Sequence, residues 1–317
     1  MNPADAFINP KTRLLRSGWR MLIFVALLPQ LTLPLIMPPG RSENGGLIDA
    51  NFSRILLYSV YLLWALGASW ICLAVLDRLK LSSLGLTWNR NRWREVTLGT
   101  LIGVLMVAAV AGLQYLGGGT HVRPNPIWWQ GGAVDGAGIA IVAGEISAAL
   151  LLLVLAAAFE ELVYRGYPFQ TLLRGAPAIV PILLLGALFG ASHLRNPNRT
   201  LFSTINTVLA GVWLSLAYLK TRSLWFPTSL HFSWNWMMGA CFGLPVSGLS
   251  IPRHPIFLST SEDPVWLTGG SYGCEGGAAA TAVLIAAALW IWRAKWLKDS
   301  TEPQTIPEGR FEIGPAD

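Results

Sequence analysis

The chain has 317 residues, 53% of them hydrophobic and only 13% charged, about half the roughly 25% charged content of soluble globular domains. That balance excludes a soluble globular, disordered, coiled-coil or disulfide-framework protein and leaves a polytopic membrane protein. Its three cysteines (Cys72, Cys241, Cys274) make neither a disulfide framework nor a CxxC metal pattern. The net charge of +6 fits cytoplasmic loops rather than nucleic-acid binding.

In chain order, eight apolar stretches approach the length of a spanning helix, about 20 residues. They are 21–37, 55–76, 96–116, 139–159, 176–194, 201–219, 224–244 and 276–292. The expected fold is an all-α bundle of about eight transmembrane helices. The first stretch, with Pro29 and Pro34, and the last are short. The first follows about twenty polar and basic residues with no small-residue cleavage site, so no cleavable signal peptide is expected. The Gly- and Pro-rich segments 117–138 and 245–275 read as external loops. Residues 1–138 read as accessory helices, 139–295 as the core, and 296–317 as a polar cytoplasmic tail with Pro303, Pro307 and Pro315.

Loop charges give the orientation. With the N-terminus inside, 17 of the 23 Lys and Arg residues fall in cytoplasmic segments, among them Lys11, Arg20, Arg78, Arg94, Arg174, Lys220 and Arg293. Six fall outside: Arg41, Arg54, Arg123, Arg195, Arg199 and Arg253. The bias predicts both termini inside. Trp19, Trp88, Trp93, Trp128, Trp129, Trp225 and Trp266 flank spans as an interfacial belt would.

Ionisable groups at membrane depth are expensive and mark function by default. Here they cluster: Glu160, Glu161 and Arg165 after the fourth apolar run, His193 ending the fifth, and His231 with Asn235 in the seventh. His121 and His254 read as ordinary loop residues, and Glu145 as an external-surface acid. Glu160 and His193 end consecutive antiparallel runs, which would put them on opposite faces. The sequence after Glu160 stays helical in pattern through Pro168 until Gly175 and Pro177, because membrane bundles tolerate proline. A fourth helix running to Arg174 sets Glu160 roughly 22 Å and His193 roughly 27 Å from the same turn, within about one turn of each other. The spacing therefore predicts one long fourth helix projecting into the cytoplasm. Lys220 to Ser223 reads as a short inside turn, and Pro227 suits the first turn of the next helix.

His231 and Asn235 are i, i+4 and share a face, as do Glu161 and Arg165. A carboxylate and an imidazole can polarise a water, while His and Asn donors can stabilise an oxyanion. Glu160, His193 and His231 could alternatively hold zinc, so Zn stays a possible cofactor. Neither a Ser–His–Asp arrangement nor HExxH spacing is found. Taken singly, each feature has a structural explanation: an i, i+4 ion pair, a packed histidine, an Asn bonding a neighbouring helix. Their convergence in depth on three consecutive helical segments points to chemistry. Gly186, Ala187, Gly190, Ala191 and Ser192 suit close helix packing.

Glu160-Glu161-x-x-x-Arg165, Phe189-x-x-x-His193 and His231-x-x-x-Asn235, in that order, resemble the three-motif signature of the CAAX prenyl protease and bacteriocin-processing intramembrane proteases. Phe159, Tyr164-Arg165-Gly166 and the Thr268 to Gly277 run resemble the family's flanks. The resemblance implies an all-helical core around a water-filled cavity in the cytoplasmic half of the membrane. It implies that Glu160 activates water with His193, that His231 and Asn235 form an oxyanion hole, and that Glu161 and Arg165 support the site. It leaves open a metalloprotease or a metal-free glutamate mechanism. The short loops and lack of an organellar presequence suggest a bacterial inner-membrane protein. The implied function is an endopeptidase acting on a peptide or membrane-protein terminus, with the lipid bilayer as its other partner and no nucleic acid. The alternative is a non-catalytic immunity or scaffold protein on the same fold. A scaffold has no reason to keep four costly polar groups.

Overall fold

The computed structural model describes residues 3–28, 47–129, 136–252, 254–261 and 263–297. Among them, the helices of seven residues or more are α1 (Ser17–Ala26), α2 (Leu47–Ile71), α3 (Arg90–Leu116), α4 (Gly136–Glu161), α5 (Tyr167–Leu173), α6 (Ile179–Ser192), α7 (Leu201–Thr221), α8 (Trp225–Trp236) and α9 (Ala278–Arg293). Every expected apolar run contains a helix. Four segments, Phe52–Asp77, Arg90–Leu116, Val142–Leu173 and Leu201–Thr221, are long and apolar enough to cross a membrane. The other four expected runs hold shorter helices among the described residues. Of the first run, residues 29–37 with Pro29 and Pro34 lie outside the described residues, as do most of the tail, Arg41 and Arg253. Hydropathy alone does not register where a polar group ends a helix. The α6 helix stops at His193, and α8 passes through a wide turn, Met237–Cys241, into Gly243 at φ +70°.

The long fourth helix is present. The α4 helix passes through a wide turn, Leu162–Gly166, directly into α5. Pro168 has no N–H to give the Tyr164 carbonyl, and the i→i+5 turn absorbs the mismatch without breaking the helix. Pro227 sits in the first turn of α8, as expected.

Two apolar cores fill the bundle. One joins α3, α4, α7, α8 and α9 around Trp213, Phe226, Leu230, Trp234 and Met238. The other joins α1, α2, α5 and α6 around Phe24, Tyr167, Phe169 and Tyr218. Small residues set the helix approaches. A Cβ at Gly103 would lie 2.7 Å from the Leu230 carbonyl oxygen, so α3 and α8 cross nearly backbone to backbone. A Cβ at Gly211 would lie 2.8 Å from Gly186 Cα, placing α6 against α7 at the small-residue face expected from the sequence.

The two loops read as external are joined, which the sequence analysis did not anticipate. Strand β1 (Thr120–Pro124) pairs antiparallel with β2 (Phe257–Ser261), Thr120 opposite Ser261 and Pro124 opposite Phe257. The pairing requires both loops on one side of the bundle, as an even number of intervening spans demands. At the other end Trp88 meets Trp93 and Trp225 edge to face, with centroids 4.9 and 4.7 Å apart. The Trp128 and Trp129 side chains are not among those described.

Two expectations for charged residues are corrected. Glu145 is buried, not an external-surface acid, and accepts a bond from His254 Nδ1 at 3.1 Å. That contact makes His254 a tether for its loop rather than an ordinary loop residue. Arg20 and Arg174, counted above as loop charges, both pair with the buried Asp77 at the end of α2, Arg174 at 3.1 Å. The cluster ties the accessory helices α1 and α2 to the end of the long fourth helix.

Candidate active site

The site lies where α4 turns into α5, between the two apolar cores. Glu161 and Arg165 are fully buried and bonded at 2.9 Å. Arg165 also donates to the Gly211 carbonyl at 2.8 Å, within reach because Gly186 lets α6 and α7 close up. The same Glu161 oxygen, Oε1, accepts from His231 Nδ1 at 2.9 Å. A carboxylate in an ion pair only accepts, so His231 carries its proton on Nδ1 and turns Nε2 away from Glu161. That Nε2 lies 3.8 Å from Glu160 Oε2, a separation that one water can bridge. Glu160 Oε2 is buried and has no hydrogen-bond partner among the described residues.

His193 approaches from α6 but does not join this carboxylate cluster. Its Nδ1 bonds the Phe189 carbonyl at 2.8 Å. A carbonyl only accepts, so Nδ1 holds the proton and Nε2 keeps a free lone pair. The Phe189 ring sits between the parts: 4.8 Å from the His193 ring, 5.9 Å from the His231 ring, and 4.9 Å under the Arg165 guanidinium. The motif Phe-x-x-x-His is thus a spacer as much as a histidine carrier. Asn235 lies one turn beyond His231 on α8, half-buried.

Sequence reasoning noted the Thr268 to Gly277 run as a family-like flank and gave its Glu275 no role. Glu275, in the loop before α9, accepts from Trp234 Nε1 at 2.9 Å and from Ser247 N and Oγ at 2.8 Å each. Asn206 on α7 holds the same loop by donating to the Glu275 carbonyl at 2.7 Å. Nearby, burial lifts the Tyr272 phenol above its ordinary value, with Glu275 adding to the shift, so Tyr272 stays neutral. The Gly-rich run Thr268 to Gly277 was the available signal, because several glycines with no helical pattern mark close backbone approaches.

The donor set does not suit a metal. Among the described residues no three His, Cys, Asp or Glu side chains converge. Glu160 and His231 approach each other at 3.8 Å, Glu161 is engaged by Arg165, and His193 makes no contact with either acid among the described bonds. The Glu160, His193 and His231 set therefore makes no zinc site in this arrangement, which would need three protein ligands around one point.

Four helical segments long and apolar enough to cross a membrane mark an integral membrane protein, with Glu160, Glu161, Arg165 and His231 gathered among its helices. Residues 142–237 match the family model described as type II CAAX prenyl endopeptidase Rce1-like. The match covers α4 through α8 and contains Glu160, Glu161, Arg165, His193, His231 and Asn235. It agrees with the resemblance read from the three motifs. No curated protein and no solved structure matches the chain.

Proposed function

We propose that the chain is a glutamate-type intramembrane endopeptidase that hydrolyses a peptide bond near the terminus of a membrane-associated peptide or protein. The observation that carries this reading is the division between the two acids. Glu161 is committed to Arg165 and His231, while Glu160 presents an unpartnered buried oxygen beside His231 Nε2. Glu160 takes a proton from a water, whose oxygen bonds to the scissile carbonyl carbon. The resulting oxyanion accepts from His231 Nε2–H and Asn235 Nδ2. The carbon–nitrogen bond then breaks, and Glu160 returns its proton to the leaving amine.

For Nε2 to donate, His231 must be an imidazolium. That charge suits the cluster, because Glu160 and Glu161 are then balanced by Arg165 and His231. His193, with its free Nε2, accepts and relays protons at the edge of the site. The partition of Lys and Arg supports both termini on the cytoplasmic side.

The test uses the purified full-length chain in nanodiscs with an internally quenched farnesylated CAAX peptide, alongside C-terminal proteomics of cells carrying wild type or Glu160→Gln. Cleavage lost in the Glu160→Gln protein supports the reading. A wild-type chain that cleaves nothing in either assay refutes it in favour of a non-catalytic peptide-binding scaffold.

A further inference from the structure

His193 and Asn235 sit on different helices, and no hydrogen bond joins them directly. Their relative position is fixed from behind. Asn196, three residues after His193, donates from Nδ2 to the Ser247 carbonyl at 3.0 Å. Ser247 donates from N and Oγ to Glu275 Oε2 at 2.8 Å each. Glu275 Oε1 in turn accepts from Trp234, the residue before Asn235, at 2.9 Å. The chain of contacts runs from the His193 segment through one serine and one glutamate to the Asn235 helix.

The backbone at the junction is unusual. Ser247 has φ +48°, a region that residues other than Gly, Asn and Asp seldom occupy. Gly248 follows at φ +85°, packed so closely on Pro197 that a Cβ would lie 3.2 Å from its carbonyl carbon as well as against its oxygen. Strain of this kind persists where the surroundings hold it in place, and it clusters at functional sites. Here the strained turn faces both Ser247 amide and hydroxyl to a single carboxylate oxygen. Glu275 lies outside the matched region 142–237.

Resting on the endopeptidase reading above, we infer that Glu275 is a positioning residue that sets the distance between His193 and Asn235 by clamping Ser247 and Trp234 together. A carboxylate suits this place because both oxygens accept. A glutamine turns its NH2 toward either Trp234 or Ser247 and breaks one arm.

The experiment compares Glu275→Gln, Trp234→Phe and the double variant, as full-length protein in nanodiscs, with the quenched farnesylated CAAX peptide. The expected result is a fall in kcat of about 10- to 100-fold, the scale set by misplacing catalytic groups by about 1 Å. KM should change less than about twofold, and the double variant should be no slower than the slower single. Ser247→Ala, which removes only the hydroxyl, serves if Glu275→Gln fails to fold. In parallel, spin labels at the exposed Leu194 and Leu249 report, without any substrate, how firmly the Ser247 turn holds the His193 segment, which is one arm of the clamp. Their distance distribution should be narrow in the parent and broadened by Glu275→Gln. Unchanged kcat in a folded, active background, or losses that multiply in the double variant, overturns the inference. If the parent cleaves nothing, the endopeptidase reading fails by itself. The label distances then decide alone, and an unbroadened distribution overturns the clamp.

Discussion

Replacing Glu161 by glutamine should unfold much of the protein, whereas the same change at Glu160 should leave it folded and silent. Glu161 is fully buried and accepts from Arg165 and His231 through one oxygen, 2.9 Å from each. Glutamine keeps the shape but removes the charge, leaving the Arg165 guanidinium fully buried with only the Gly211 carbonyl as a strong acceptor. Removing one partner of a buried ion pair costs about 3–5 kcal/mol. That is roughly two to three and a half orders of magnitude in the folding equilibrium, at about 1.4 kcal/mol per tenfold. Among the described residues Glu160 makes no hydrogen bond, its one charge contact is His231 Nε2 at 3.8 Å, and its side chain is one-fifth exposed, so that contact is screened. Its substitution should therefore cost little stability while lowering turnover by about 10²- to 10⁴-fold, the worth of a general base. Thermal unfolding in detergent and monodisperse yield measure the first effect; single-turnover cleavage measures the second. Adding Arg165→Met to Glu161→Gln should recover much of the lost stability by removing the orphaned charge. A Glu161→Gln protein as stable as wild type, or a Glu160→Gln protein equally unstable, would refute the division of roles.

Thorough chelation should leave turnover unchanged, and purified active protein should hold no stoichiometric zinc. Elemental analysis beside the cleavage assay checks this, with activity lost on chelation and restored by zinc as the contrary result. Gly103→Val should force α3 away from α8, costing about 1–3 kcal/mol as overpacked contacts do and lowering folded yield in size-exclusion profiles. Asp77→Asn should loosen α1 by releasing Arg20 and Arg174, seen as faster proteolysis between residues 11 and 20. Reporter fusions after Gly117 should read external and those after Lys80 cytoplasmic; the reverse would invert the proposed topology.

Much of the site was legible because helical spacing is a local code. Glu161 with Arg165, and His231 with Asn235, needed only the i, i+4 rule to share a face. The continuous helix through Pro168 followed from the lack of any stop before Gly175. The bond from His231 to Glu161 was not legible, since nothing in two segments 70 residues apart says which of two adjacent acids a histidine will choose. The clamp at Glu275 joins a loop serine, a helix tryptophan and a second loop, so no periodicity announces it. The buried Asp77 cluster escaped for a different reason. A charge count treats every arginine near a span end as solvated, and Arg20 and Arg174 are not. Helix ends at His193 and before Gly243 were not legible because an apolar window runs on past a histidine or a glycine that ends the helix.

Those short helices set a condition on the surrounding lipid. Ile179–Arg195 rises about 26 Å and Ala278–Arg293 about 24 Å at 1.5 Å per residue, against a hydrocarbon layer of roughly 30 Å. Both face outward, with Ile179, Leu183, Ile285 and Leu289 exposed. If either helix crosses the bilayer, the lipid around it thins or the flanking Arg195 and Arg293 reach outward, at a fraction of a kcal/mol for each ångström of mismatch. On the endopeptidase reading proposed above, acyl-chain length in the host bilayer is therefore a variable to set in any cleavage assay, with thinner bilayers expected to suit these short helices better.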